Sequence, residues 1–169
     1  PQELQLTNIL DGFTESFQQQ WEADKGLRLS IGYDPDAPQT LHTDAESLEN
    51  ILQELLLNAG KYADEDTAIE IDVSSKIGGN GKNIVIAVTN YGAGIAPDEL
   101  PYIFEKFRRG QGVTDRAVPG TGLGLALVKY LVQHLQGTID VTSKQVDNSN
   151  TFVNCFTLSL PQFPLKNNN

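Results

Sequence analysis

The 169-residue chain contains no methionine, one cysteine and two histidines, and each scarcity narrows what it can be. A translated chain begins with methionine, so this one reads as a piece of a longer protein. A lone Cys155 allows no internal disulfide and no multi-cysteine metal site. His42 and His134 stand far apart, which excludes a histidine-rich metal cluster. Basic residues are scarce too: 12 Lys and Arg face 22 Asp and Glu, for a net charge of −10. That balance argues against nucleic acid as a main partner, because a phosphate backbone is held by a basic footprint. Long apolar runs are missing as well. Stretches such as Ile84 to Val88 are far too short to span a bilayer, and no signal-peptide pattern opens the chain. What is present suffices for a core. The hydrophobic set makes up 39% of the residues, and the length suits one domain or two very small ones.

Hydrophobic periodicity orders the chain. Leu6, Ile9, Leu10, Phe13, Phe17 and Trp21 recur at helical spacing, predicting an amphipathic helix over roughly 5–22 that ends at Lys25-Gly26. Leu27, Leu29, Ile31 and Tyr33 alternate as in a half-buried strand. Asp34 to Pro38 is a turn, and Thr40 to Thr43 a short strand. Asp44 is an N-cap for a helix reaching about Tyr62. Residues 69–73 and 84–89 form a hairpin around Gly78-Gly79-Asn80-Gly81. Residues 90–121 are glycine-rich and irregular, apart from a helical turn near Leu100 to Phe107. Gly122 to Gln136 is helical and apolar on more than one side, which predicts burial. Thr138 to Lys144 and Phe152 to Leu160 are strands joined by a polar turn. Strands therefore come in adjacent pairs, which favours an α+β architecture: helices layered on a mixed, mostly antiparallel sheet. The expected organisation is a single domain over 1–165 with a disordered tail at 166–169. His42 and His134, the latter in a buried helix, read as structural, and Cys155 as a core residue.

Three groups of residues carry chemistry. On the second helix, Leu48, Ile51, Leu52, Leu55, Ala59 and Tyr62 share one face. At about 100° per residue, Glu54, Asn58 and Lys61 fall in a narrow wedge beside it. This is either a solvated flank with an i,i+4 polar pair or a metal and phosphate site. Asn and Glu oxygens suit a hard cation such as Mg²⁺, and lysine meets phosphate as a point charge. Two glycine clusters come next. Gly92-Ala93-Gly94 follows a strand, and Gly120-Thr121-Gly122-Leu123-Gly124 opens the third helix. Glycine lets backbone approach a ligand, and a helix start offers N–H groups to an anion; turns use glycine as well. The second cluster matches neither a Walker loop nor a dinucleotide fingerprint. Between the clusters, Lys106, Arg108, Arg109 and Arg116 make a basic stretch in an acidic chain. It is either an ordinary surface loop or a contact for an anionic ligand.

Together these segments resemble the ATP-binding catalytic domain of two-component sensor histidine kinases, over about residues 40–161. Glu54-Leu-Leu-Leu-Asn58-Ala-Gly-Lys61-Tyr62 resembles the family's asparagine box. Asn90-Tyr-Gly92-Ala-Gly94-Ile95 resembles its first glycine box, and Gly120-Thr121-Gly122-Leu123-Gly124-Leu its second. Ile103-Phe104-Glu105-Lys106-Phe107-Arg108-Arg109 is similar to its phenylalanine box. The wider GHKL superfamily includes gyrase-, Hsp90- and MutL-type ATPases; Lys61-Tyr62 and the Phe104/Phe107 segment pull this chain to the kinase branch.

The resemblance implies a Bergerat-type two-layer α/β sandwich with about three helices. It implies transfer of the ATP γ-phosphoryl to a histidine on a dimerisation domain absent from this chain, with a response regulator downstream. ATP and Mg²⁺ are the implied cofactors, and the implied location is cytoplasmic without direct membrane contact, the parent being soluble or membrane-anchored. Asn58, with Glu54, would hold Mg²⁺ against the phosphates. Lys61 would contact phosphate, Tyr62 would flank the nucleotide, and Gly92, Gly94 and Ile95 would line adenine. Residues 108–121 would form a lid, with Arg108 and Arg109 at its start. Gly120, Thr121, Gly122, Leu123 and Gly124 would bring backbone N–H groups to the phosphates. Two positions depart from the family pattern. Asn90 stands where an aspartate usually accepts the adenine amino proton, so the same bond would be neutral. Glu54 stands where many histidine kinases have asparagine, and it resembles the general-base glutamate of the superfamily ATPases, able to polarise water or to bind metal through water. Alternatives are a GHKL-type ATPase, an anti-sigma-type serine kinase, or a non-catalytic nucleotide-binding signalling module.

Overall fold

A computed structural model describes residues 1–79, 81–105 and 124–166. The first helix is longer and less regular than its periodicity suggests. α1 (Leu6–Phe17) buries Leu6, Leu10 and Phe17. It runs on through one π-type turn, Gln18–Glu22, into the short α2 (Ala23–Lys25). A π turn inserts an extra residue and so rotates the rest of the helix about its axis. Here the rotated segment buries Trp21 against Gly60, where a side chain would collide with the indole. Gly26 then ends the helix at φ +66°, a left-handed conformation that favours glycine.

A strand that periodicity does not reveal precedes α1. β1 (Gln2–Gln5) buries only Leu4, yet pairs antiparallel with β3 (Thr40–Thr43) in a two-stranded ladder. β3 therefore does not pair with its sequence neighbour β2 (Arg28–Tyr33). β2 instead lies parallel to β4 (Ala68–Gly78), across the crossover that contains β3 and α3 (Ala45–Tyr62). The main sheet has the order β2-β4-β5-β7-β6, with β5 (Gly81–Gly92), β6 (Thr138–Gln145) and β7 (Phe152–Pro161) antiparallel to their neighbours. One parallel pair among antiparallel ones makes the sheet mixed and mostly antiparallel, as expected. β5 continues past Thr89, so Asn90 is a strand residue.

The sheet's inner face reads in rows set by register. Ile86, Leu158 and Ile139 lie side by side across β5, β7 and β6. Val88, Phe156 and Val141 form the next row, and Asn90, Asn154 and Ser143 the last. The first two rows build the core with Ile69, Ile71 and Val73 of β4 and the apolar face of α3. The opposite face carries Glu70, Asp72, Thr157 and Asp140, and among the described residues the helices pack their apolar stripes on the inner face, which makes two layers. Cys155 belongs to this outer face by strand alternation. It is half-buried, with Sγ 3.6 Å from Thr157 Oγ1, and is not the core residue expected of it.

α4 (Gly124–His134) also differs from expectation. Only Val128 and Val132 are buried, while Leu127 and Tyr130 are 44% and 67% exposed. Apolar residues around a helix predict burial on every side, but this helix meets α3 and β6 along one stripe only. His134 is accordingly exposed rather than buried. The helical turn expected near 100–107 is a short 3-10 helix, Leu100–Tyr102. Just after it, Phe104 meets the Phe156 ring edge-on at 6.1 Å, fastening this segment to the sheet.

Candidate functional site

The site is built on α3. Asp44 caps it, its carboxylate accepting from Ser47 N at 3.3 Å and from Ser47 Oγ. The Ser47 bond holds the Asp44 carboxyl below the usual range. From this anchored start, Glu54, Asn58 and Lys61 line one flank, all half-buried beside the core stripe, and Tyr62 is 36% exposed. Glu54 reaches α4. A Cβ on Gly124 would stand 2.6 Å from Glu54 Oε2, so the carboxylate lies directly over the glycine and would have to swing aside for a larger residue. A carboxylate beside the first turn of a helix is favoured by the helix dipole. Glu54 of the asparagine box and Gly124, the one described residue of the second glycine cluster, meet at this point.

The other end of α3 is held by Lys25. Its Nζ donates to the carbonyls of Gly60 (3.0 Å), Lys61 (2.9 Å) and Ala63 (3.2 Å), and lies 5.8 Å from the Trp21 ring centre. A helix end leaves carbonyls unpaired and carries partial negative charge, and an ammonium satisfies both. The chain beyond docks on the end of β5: Asp64 N donates to Tyr91 O at 2.8 Å, and Ala93 N to Tyr62 O at 3.3 Å. Gly92 permits this approach, since a Cβ there would overlap Tyr62 O. A Cβ on Gly94 would come 2.5 Å from the Phe152 ring. The room left by both glycines is thus occupied by the protein itself.

Asn90, 2% exposed, closes the inner face of β5 below this junction. Its Nδ2 is the one buried side-chain polar atom without a hydrogen bond among the described residues. Opposite it, Asn154 is fully engaged. Its Nδ2 donates to Ala93 O at 2.8 Å, its Oδ1 accepts from Ser143 Oγ at 2.7 Å, and Ser143 Oγ accepts from Ile95 N at 3.0 Å. Asn154 and Ser143 therefore hold residues 93–95 in place. Sequence reasoning missed both, and missed Lys25. The signal for the first two was available: each interrupts an apolar alternation, at Asn154-Phe156-Leu158 and at Ile139-Val141-Ser143.

Among the described residues no three His, Cys, Asp or Glu side chains cluster as a metal site. One carboxylate and one amide oxygen a helical turn apart still suit Mg²⁺, which keeps several waters and takes further oxygens from phosphates. Lys106, Phe107, Arg108, Arg109, Arg116, Gly120, Thr121, Gly122 and Leu123, with the lid expected over 108–121, lie outside the described residues, as do Asn167–Asn169 of the expected tail. A separate groove of about 660 Å³ runs between α1 and α3, past Phe13, Gln20 and Gln53. It has no lysine or arginine in its lining and is unsuited to a polyanion.

A family model described as histidine kinase-, DNA gyrase B- and HSP90-like ATPase matches residues 43–163. The chain is 40% identical over 128 residues to the sensor-like histidine kinase SenX3 of Mycobacterium tuberculosis, covering 75% of this chain and 29% of that protein. It is 36% identical over 138 residues to the sensor protein KdpD of Escherichia coli, covering 81% of this chain and 14% of that one. The chain thus spans less than a third of either relative. In fold it is similar to the mycobacterial sensor histidine kinase MprB, with a TM-score of 0.74 at 21% identity over 94% of this chain and 97% of that one. The catalytic domain of histidine kinase ThkA gives 0.73 at 19% identity, over 95% and 94%.

Proposed function

We propose, since this chain belongs to the histidine kinase-, DNA gyrase B- and HSP90-like ATPase family, that residues 1–165 form the ATP-binding catalytic domain of a sensor histidine kinase. In this reading it transfers the ATP γ-phosphoryl to a histidine on a dimerisation domain of its parent protein, and a response regulator takes the phosphoryl onward. The domain works in the cytoplasm; among the described residues no helix is long and apolar enough to cross a membrane. The observation that carries the reading is that α3 joins the motifs: Glu54 on its flank lies against Gly124 of α4, and its C-terminal end docks on the end of β5 beside Asn90.

Each part then has a task. Asn90 hydrogen-bonds the base from the floor of the pocket, beside a loop that Asn154 and Ser143 keep in register. Ile95 adds apolar contact, and Tyr62 flanks the nucleotide. Lys61 meets phosphate as a point charge. Backbone N–H groups of residues 120–124, with Arg108 and Arg109, are assigned to the phosphates by the family resemblance. Glu54 and Asn58 hold Mg²⁺, which when bound neutralises charge on the phosphates. Because phosphoryl transfer needs little covalent help, positioning and electrostatics supply most of the catalysis. Calorimetric titration with ATP is the test. Binding should require Mg²⁺, and Asn58→Ala should largely abolish it; equal affinity in variant and wild type would refute the assignment.

A further inference from the structure

The polar row at the end of the sheet contains two asparagines in opposite states. Asn154 has both ends of its amide committed, to Ala93 O and to Ser143 Oγ. Its orientation is therefore fixed by the protein. Asn90 is its direct partner across β5 and β7 and is equally buried, at 2%. Yet its Nδ2 has no hydrogen-bond partner among the described residues. A buried, unpaired amide donor is costly, and one kept in a native chain calls for an explanation, of which completion by a ligand is one. The neighbours do not complete it here: Val88 and Gly92 flank Asn90 on the same strand face, and Asn154 is engaged elsewhere.

An amide differs from a carboxylate in what it can offer such a ligand. Its oxygen only accepts, its nitrogen only donates, and rotation of the side chain by half a turn exchanges them. An aspartate in this place would be acceptor-only when ionised. It would bond a 6-amino purine and set two acceptors face to face against a 6-keto purine. With its Nδ2 held by no neighbour, Asn90 can turn either group toward the base.

We propose that Asn90 makes this site tolerant at purine position 6, so that it binds 6-keto purine nucleoside triphosphates alongside ATP. The inference rests on the reading of the row as the floor of the base pocket. The 6-amino group meets Oδ1; the 6-keto oxygen meets Nδ2, the atom the protein leaves unpaired.

Competition binding with the Mg²⁺ complexes of ATP, inosine triphosphate and unsubstituted purine riboside triphosphate tests this on the whole chain. Inosine triphosphate lacks the 2-amino group of guanine, so it differs from ATP only at position 6 and in the proton its keto form carries on N1; that N1 difference is the same for wild type and Asn90→Asp, so the change in preference between them reports on residue 90. Wild type should bind ATP and inosine triphosphate within about fivefold of each other, and both more tightly than the purine analogue, which has no position-6 partner for the amide. Asn90→Asp should raise the preference for ATP over inosine triphosphate at least about tenfold, since the keto oxygen then faces an unpaired acceptor. Should Asn90→Asp not fold, as judged by circular dichroism, the three-nucleotide comparison on wild type decides alone. Inosine triphosphate binding as weakly as the purine analogue, or an unchanged preference in Asn90→Asp, overturns the proposal while leaving the ATP site standing. Failure of wild type to bind ATP overturns the site assignment itself, and this proposal with it.

Discussion

Asn154 is the residue whose substitution separates the scaffold of the site from its contacts. Its side chain bridges Ala93 O and Ser143 Oγ, and Ser143 in turn receives Ile95 N. Truncation to alanine removes part-buried bonds on both sides and releases residues 93–95. Asn154→Ala should therefore weaken ATP binding by about 0.5–1.5 kcal/mol, the usual net contribution of a hydrogen bond. Calorimetry reads this directly; undiminished affinity would mean that the 93–95 loop holds itself. Asp44 makes a second prediction at this scale. Its folded carboxyl is held below the ordinary value, chiefly by the Ser47 side chain. A lowered carboxylate contributes stability that is complete above its unfolded pKa, about 3.9, and is lost as pH falls through the folded value. Asparagine caps helices as well as aspartate but does not titrate in this range. Asp44→Asn should thus flatten the decline of the urea midpoint with acidification below about pH 4 while matching wild type near neutrality; parallel curves would assign the acid sensitivity to other carboxylates.

Among the elements, α3 organises the site, and it is secured at both ends. Its N-terminus carries its own cap in Asp44, visible in sequence as an acid before an amphipathic run. Its C-terminus depends on Lys25, thirty-five residues before Gly60, with three carbonyls converging on one ammonium. No local pattern announces that bond, because it needs the π turn at Gln18–Glu22 to bring the end of the first helix against Gly60. Lys25→Met keeps most of the aliphatic stem and removes the charge. It should destabilise the fold by about 1–3 kcal/mol, the scale of a charged hydrogen-bond donor lost from partly buried acceptors, measured as a shift in urea midpoint at constant slope. A variant as stable as wild type would show that water satisfies the α3 carbonyls equally well. The same junction sets Tyr62 and Gly92 against each other, so Lys25→Met should also weaken ATP binding where a purely peripheral lysine would not.

As a whole molecule, the chain should bind ATP without phosphorylating itself. His134 is exposed, but it ends α4, ten residues from Gly124 and about 15 Å along the helix axis from the phosphate end. His42 lies in β3 with its ring 6.3 Å from that of Phe163. Both histidines thus lie toward the Asp44 end of α3, about ten residues from Glu54, away from the proposed phosphate end, whereas transfer requires an in-line approach to the γ-phosphate. Incubation with radiolabelled ATP should leave no acid-labile label on this chain, and a separately supplied histidine-bearing dimerisation domain of the same parent should take label weakly, since tethering is lost. Stoichiometric acid-labile label on the chain alone would place the acceptor within it. Much of this molecule was legible without coordinates. Alternation and 3.6-residue periodicity located α3, the β4–β5 hairpin, β6 and β7, because those segments bury a regular apolar face and their own residues record it. The asparagine and glycine motifs suggested a cation and phosphate site locally, because anion binding and close backbone approach demand particular residues, and nucleotide chemistry entered through their resemblance to histidine kinase catalytic domains. Tertiary structure alone decided the pairing of β1 with β3, the single buried stripe of α4, the outward-facing Cys155, and the bonds made by Lys25, Asn154 and Ser143. Each of these depends on what a residue meets across the chain. A strand with one buried leucine carries no periodic signal, and a polar side chain does not show in sequence whether its partner is water, a distant carbonyl or, as proposed for Asn90, a ligand.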